Sequence, residues 1–134
     1  MRNFKSNRNI VFSCIYHVVW VTKYRKKYIS GDIEKRLKEI CLEVAEELEF
    51  EITEMECERD HIHLLVDIDP QLGIHKAVKR MKGKSSRILR QEFAILRQRL
   101  PTLWTNSYFV SSVGGAPISV IKQYIESQKE RAAH

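Results

Sequence analysis

What this chain of 134 residues lacks narrows the field first. It has three cysteines, Cys14, Cys41 and Cys57, an odd number without Cys-x-x-Cys spacing. That argues against a disulfide framework or a zinc ribbon and suits small, mostly buried thiols in a reducing cytoplasm. No apolar run approaches the roughly 20 residues that span a bilayer, and the basic start, Met1 to Arg8, leads into no secretory apolar region. The expectation is a cytoplasmic protein with no membrane partner. Glycine is scarce and forms no phosphate-cradling loop, so a bound nucleoside triphosphate is not expected. No internal repeat, linker or low-complexity stretch divides the chain, and residues 1–134 read as one domain, 43% hydrophobic and long enough to bury a core.

Charge is sorted along the chain. The net charge is +6, yet twelve acidic and four basic residues between Asp32 and Asp60 leave that stretch at −8, so the remainder carries +14. A fold with this segregation has one strongly positive side, suited to a polyanion.

The stretch richest in chemistry is Glu58-Arg59-Asp60-His61-Ile62-His63-Leu64-Leu65-Val66. In a strand His61 and His63 share one face while Ile62, Leu64 and Val66 share the other. The apolar face anchors the strand, and the two imidazoles can ligate one metal ion. Leu65, where a third histidine would stand, excludes a histidine-triad hydrolase. Asp60 reads as a turn residue, or as a group that orients a histidine.

Around this strand the coarse elements fall in order. Val11 to Lys23 is β-branched and aromatic and predicts a central strand, with His17 read as a satisfied core histidine, the alternative being that it approaches the site. Lys23-Tyr24-Arg25-Lys26-Lys27-Tyr28 interleaves bases with aromatics, a pattern for phosphate contacts and base stacking. Ser30-Gly31-Asp32 starts a helix whose apolar stripe is Ile33, Leu37, Ile40, Cys41, Val44 and Leu48, its other face too acidic for DNA. Glu51 to Glu58 alternates, with Thr53, Met55 and Cys57 on one face, and pairs with the histidine strand as a hairpin turning at Arg59-Asp60. Beyond Asp69-Pro70 a second helix buries Ile74, Ala77, Val78, Met81, Ser85, Ile88 and Leu89. Its segment from Lys76 to Arg90 carries seven bases and no acid, which repel one another unless an anion lies alongside. We therefore expect the nucleic-acid surface there, with Lys79, Arg80, Lys82, Lys84 and Arg87 as contacts, Ser85 and Ser86 as further phosphate donors, and Lys23 and Arg25 contributing from the aromatic-basic segment. Helix resumes over 91–100, to Pro101. Ser107 to Val113 predicts a last strand, Gly114-Gly115 a hinge, and Pro117 the first turn of a final helix to about Arg131. On that helix Ile118, Ile121 and Ile125 form one stripe; Val120, Tyr124 and Gln128 form a neighbouring one.

This order predicts an α+β fold, a ferredoxin-like split βαβ with an antiparallel sheet, two helices on one face and an additional C-terminal helix. The histidine strand then lies mid-sheet, its imidazoles opposite the two helices or at their edge.

Asp60-His61-Ile62-His63-Leu64-Leu65 together with Tyr124-Ile125-Glu126-Ser127-Gln128 resembles the single-tyrosine HUH transposases of small bacterial insertion sequences. The likeness extends through Tyr16-His17-Val18-Val19-Trp20-Val21-Thr22-Lys23-Tyr24-Arg25, Met81-Lys82-Gly83-Lys84-Ser85-Ser86 and Leu103-Trp104-Thr105-Asn106-Ser107-Tyr108. The resemblance implies that His61, His63 and Gln128 hold a divalent ion, Mg²⁺ or Mn²⁺. It implies Tyr124 as the nucleophile on single-stranded DNA, a 5′-phosphotyrosine intermediate, recognition of DNA hairpins at element ends, and a homodimer. The alternatives are a replication-initiator-type nickase and a non-catalytic ferredoxin-like nucleic-acid-binding module; the aromatic sheet signature usual in such modules is missing.

Overall fold

A computed structural model describes residues 5–6, 11–12, 14–113 and 118–132, with side-chain surroundings for 14–113 and 119–128. Two short strands, β1 (Lys5–Ser6) and β2 (Val11–Phe12), pair with each other in a sheet of their own. Then follow β3 (Ile15–Val21), a 3-10 turn (Lys23–Arg25), α1 (Gly31–Leu48), β4 (Glu51–Glu58), β5 (His61–Asp67), α2 (Ile74–Glu92), α3 (Ala94–Arg99), β6 (Phe109–Ser112) and α4 (Ile118–Ala132).

The main sheet runs β4-β5-β3-β6, antiparallel throughout. With β3, β4, β5 and β6 as first to fourth strand, that is the ferredoxin-like order, with α1 and α2 as its crossover helices. One sheet face buries Val18, Trp20, Ile62, Leu64 and Val66 against Leu37, Ile40 and Val44 of α1 and Ala77, Met81 and Leu89 of α2. The other face is covered by α4, whose Ile121 and Ile125 pack on Val19 and Val21 of β3.

Three expectations need correction. The strand foreseen over Val11 to Lys23 is two strands, β2 in the small sheet and β3 in the large one, and β3 stops at Val21. Tyr24 and Arg25 take left-handed backbone angles, φ 58° and 49°, that turn the chain back over the sheet. In β4 the register slips between Ile52 and Glu54, so Thr53 leaves the Met55 and Cys57 face; it is exposed and its hydroxyl donates to the Leu65 carbonyl. The last strand is shorter than Ser107 to Val113: Phe109–Ser112 pairs in register with β3. Gly114, Gly115 and Pro117, expected as hinge and helix start, lie outside the described residues. Among the described residues no helix is long and apolar enough to cross a membrane.

Candidate active site

Sheet register puts the two histidines on the α4 side. His61 stands opposite Val21 and His63 opposite Val19, and both valines lie under Ile121 and Ile125. Alternation along β5 leaves Ile62 and Leu64 wholly buried on the far face, so the imidazoles rest on a strand fixed by the main core.

Each imidazole has a partner. His61 Nδ1 lies 2.8 Å from Asp60 Oδ1, and Asp60 Oδ2 accepts from Arg25 Nε and Nη2 at 3.0 and 2.8 Å. Arg25 also donates to the Ile125 carbonyl at 3.3 Å and lies 3.6 Å from Glu126, tying the turn after β3 to α4. Burial opposes the Asp60 charge, but the hydrogen bonds from His61 and Arg25 outweigh it and hold the carboxyl below its usual range. Asp60 is therefore more than a turn residue. With its Nδ1 proton held by a carboxylate, His61 presents Nε2 as a lone-pair donor. Beside it a cleft of about 480 Å³ opens between Tyr24, Lys27, Arg59 and His61.

His63 Nε2 lies 3.1 Å from Nδ1 of His17, the residue read from sequence as a satisfied core histidine or one approaching the site. The ring centres are 5.3 Å apart and the planes 22° from parallel. For an in-plane N–H···N bond each nitrogen sits about 1.1 Å from its ring centre, giving roughly 5.3 Å, so this is an edge-to-edge hydrogen bond rather than a face stack. Burial first, then His17 beside it, holds His63 below the ordinary histidine range, so it is neutral and a competent ligand at pH 7.

Tyr124 and Gln128 lie on the same side of the sheet, on α4, where the i, i+4 spacing gives them one face. Tyr124 tilts against Phe109, ring centres 5.6 Å apart, and its Oη is 3.0 Å from Ser107 Oγ. The buried Gln128 amide accepts from that same Ser107 hydroxyl at 3.2 Å. The imidazoles thus bond to Asp60 and His17 while Tyr124 and Gln128 share Ser107, two networks under one helix. Among the described residues no three His, Cys, Asp or Glu side chains form a metal-holding group. Two imidazoles and an amide oxygen are nevertheless the kind of donors that fit a divalent cation which keeps positions open for substrate.

The expected DNA contacts divide. Ser85 is corrected: it is fully buried, its hydroxyl receives the Trp104 indole N–H at 2.9 Å, and no phosphate reaches it. Lys82 turns inward, its Nζ donating to the carbonyls of Thr105 and Ser107 at 2.6 and 2.9 Å, and burial pushes its pKa down to about 8. Arg25 is committed to Asp60. Arg80 pairs with Glu47, and Lys84 with Glu43 and Glu47, so two of the seven bases are matched by acids of α1 rather than awaiting an outside anion. Lys79 and Arg87 stay exposed, and Lys23 lies over the Tyr24 ring. Lys79 borders a cleft of about 370 Å³ with His75, Ser86, Trp104, Asn106 and Tyr108. Cys41 and Cys57 have their thiol pKa values raised by burial, Cys57 to about 12, and are unreactive.

Comparison with known proteins gives concordant likenesses. The family model described as "Transposase IS200 like" matches residues 10–128. The chain is 34% identical over 129 residues to the ISDra2 transposase TnpA of Deinococcus radiodurans, covering 95% of this chain and 92% of that protein. It is 33% identical over 132 residues to the transposase for insertion sequence element IS200 of Salmonella typhimurium, covering 97% and 86%. A crystal structure attributed to a transposase of D. radiodurans R1 superposes with a TM-score of 0.84 at 34% identity, covering 92% of this chain and 97% of that one.

Proposed function

This chain belongs to the IS200-like transposase family, and from that premise we propose that it cuts and rejoins single-stranded DNA at insertion-sequence ends through Tyr124. The observation that carries the reading is the placement, on the one sheet face that α4 covers, of two partnered imidazoles and of a helix presenting a tyrosine and an amide one turn apart.

His61 Nε2, an imidazole nitrogen of His63 and Gln128 Oε1 are the donors for Mg²⁺ or Mn²⁺, imidazole favouring Mn²⁺. A divalent cation held there would supply polarisation of the scissile phosphate and stabilisation of the negative charge that develops on its oxygens. Asp60 keeps the His61 proton on Nδ1, and Arg25 keeps Asp60 in place and ionised. Tyr124 Oη attacks phosphorus, loses its proton, and displaces the 3′-oxygen, which leaves as a 3′-hydroxyl. The product is a 5′-phosphotyrosine that retains a phosphodiester, so a second 3′-hydroxyl reverses the step and joins strands without a nucleotide cofactor. Lys79, Arg87 and Lys23 supply sequence-independent contacts to the backbone of a DNA hairpin.

Excision requires two cuts, and a homodimer provides two sites. Support for it comes from β6, an edge strand that exposes Val110 and is followed by exposed Val113.

The test is incubation of the chain with labelled single-stranded hairpin DNA and Mn²⁺ or Mg²⁺, followed by denaturing electrophoresis. The parent should form a covalent adduct; Tyr124→Phe should bind the hairpin with unchanged affinity and form none. An adduct with Tyr124→Phe moves the nucleophile elsewhere. Hairpin binding by the parent with no adduct under any divalent ion makes the chain a binding module.

A further inference from the structure

Neither spacing nor charge marks out Ser107, yet it stands where the two reactive side chains of α4 meet the sheet. Its Oγ lies 3.0 Å from Tyr124 Oη and 3.2 Å from Gln128 Oε1. We propose that Ser107 is a positioning residue that sets the orientation of both the nucleophile and the amide ligand; the inference rests on the roles given above to Tyr124 and Gln128.

The hydrogen count fixes the directions. A serine hydroxyl has one proton and two acceptor sites, and an amide oxygen only accepts. The Ser107 proton therefore goes to Gln128 Oε1, and Tyr124 must be the donor in its own bond to Ser107. This holds the phenolic proton on the Ser107 side of Oη. It also turns the carbonyl oxygen of Gln128, rather than its NH₂ group, toward the Ser107 hydroxyl, leaving Oε1 a second lone pair for a cation.

Ser107 can serve as a reference point because its segment is stitched to both neighbours. Lys82 Nζ reaches in from α2 to the carbonyls of Thr105 and Ser107. The Thr105 amide donates to the Val21 carbonyl at 3.1 Å, and the Lys23 amide to Leu103 at 2.8 Å. Trp104 is buried and anchored to Ser85. The hydroxyl is thus fixed to β3 and α2, while the groups it orients ride on α4. The arrangement serves equally whether α4 belongs to the same subunit or to a partner.

A plain packing role makes different predictions from an orienting one, because alanine keeps most of the volume and threonine keeps the hydroxyl. Ser107→Ala should melt with the parent and bind the hairpin as the parent does. It should lower the single-turnover rate of adduct formation about 10- to 100-fold and weaken Mn²⁺ binding to the DNA-free protein, while Ser107→Thr stays within about threefold of the parent in both. In a Gln128→Ala background, Ser107→Ala should not weaken Mn²⁺ binding further, since the ligand it orients is gone. Parent-like rate and Mn²⁺ affinity in Ser107→Ala overturn the inference. So do a Ser107→Thr as slow as the alanine variant, an undiminished effect in the Gln128→Ala background, or a Ser107→Ala that melts well below the parent. Tyr124→Phe run in parallel separates the two levels: an adduct there sinks the proposed function, whereas its loss beside a parent-like Ser107→Ala sinks this inference alone.

Discussion

Replacing Asp60 with alanine tests how the sheet prepares His61. The carboxylate joins Arg25 through two hydrogen bonds to one oxygen and His61 through the other, and the two side chains of the ion pair keep only 14% and 10% of their surface exposed. Breaking a fully buried pair by removing one partner costs about 3–5 kcal/mol, because the other charge is stranded. Here the residual exposure, and the bonds Arg25 keeps to the Ile125 carbonyl and Glu126, place the loss near about 2–3 kcal/mol. At about 4 °C per kcal/mol for a chain of this size, the melting temperature should fall by roughly 10 °C.

A second effect should accompany it. Without a carboxylate on Nδ1, His61 loses the tautomer that leaves Nε2 open, and Mn²⁺ affinity should fall about 10- to 100-fold. Circular-dichroism melts and calorimetry on the DNA-free protein measure the two separately. The acid side adds a sign. The folded pKa of Asp60 is depressed, so its contribution is complete above about pH 4 and is lost as pH falls through the folded value. Asp60→Asn should therefore flatten the acid limb of stability against pH. A variant melting within about 2 °C of the parent, with unchanged Mn²⁺ affinity, would refute the reasoning.

Lys82 gives a second pH prediction, on the alkaline side. Its pKa is pushed down to about 8 by burial, so folding disfavours the charged form, and stability should rise with pH from about 8 to about 10.5 in the parent but not in Lys82→Gln; equal slopes in urea titrations would contradict this. Lys79→Ala with Arg87→Ala should flatten the log–log salt dependence of hairpin binding by up to about 0.7–0.9 per lost phosphate contact, whereas Arg80→Ala with Lys84→Ala should change it less because those bases already face Glu43 and Glu47; equal changes would move the DNA surface. Co-assembly of a His61→Ala/His63→Ala subunit with a Tyr124→Phe subunit should cut DNA if α4 serves the partner's histidines, since one composite site is then whole; a mixed dimer as inactive as either parent variant means that α4 serves its own subunit.

The parts of this site legible in the sequence were those set by local periodicity. Alternation from His61 to Val66 told which way the imidazoles face, because a strand allows no other arrangement once Ile62 and Leu64 are buried. Helical spacing likewise put Tyr124 and Gln128 together. What local pattern could not give was any pairing across the fold. His17 meets His63 only because β3 and β5 lie in a register that sets His17 opposite Leu65, diagonal to His63. Asp60 meets Arg25 only because the chain turns at Tyr24 and Arg25 through left-handed angles that a sequence without glycine there does not announce. Ser85 shows two sequence signals in conflict: helical spacing already put it on the buried stripe with Met81 and Leu89, while its basic neighbours suggested phosphate. Spacing was the stronger signal, since the face of a packed helix is fixed by its core. The bases of α2 and the acids of α1 were each visible, but that they neutralise one another depends on the two helices lying side by side.

The final helix is held differently from the two crossover helices. Helices α1 and α2 each bury five residues, nearly all within the main core. On the described side-chain positions of α4, the buried residues are Ile121, Ile125 and Gln128. Two isoleucines at about 1.5–3 kcal/mol each give roughly 3–6 kcal/mol of apolar anchoring, an upper estimate before ordering entropy is subtracted. Among the described residues, α4 is also tied by Tyr124 against Phe109, by Arg25 to the Ile125 carbonyl and Glu126, and by Ser107 to Tyr124 and Gln128. If α4 left one sheet and docked on an identical one, the second sheet would offer it the same apolar seat and the same polar partners. The histidines, by contrast, sit on a strand paired on both sides and backed by the main core, so exchange of α4 would move the nucleophile and the amide together while leaving the imidazoles fixed. Division of the site between a fixed strand and an exchangeable helix would let strand cleavage and strand joining use one set of residues in two arrangements.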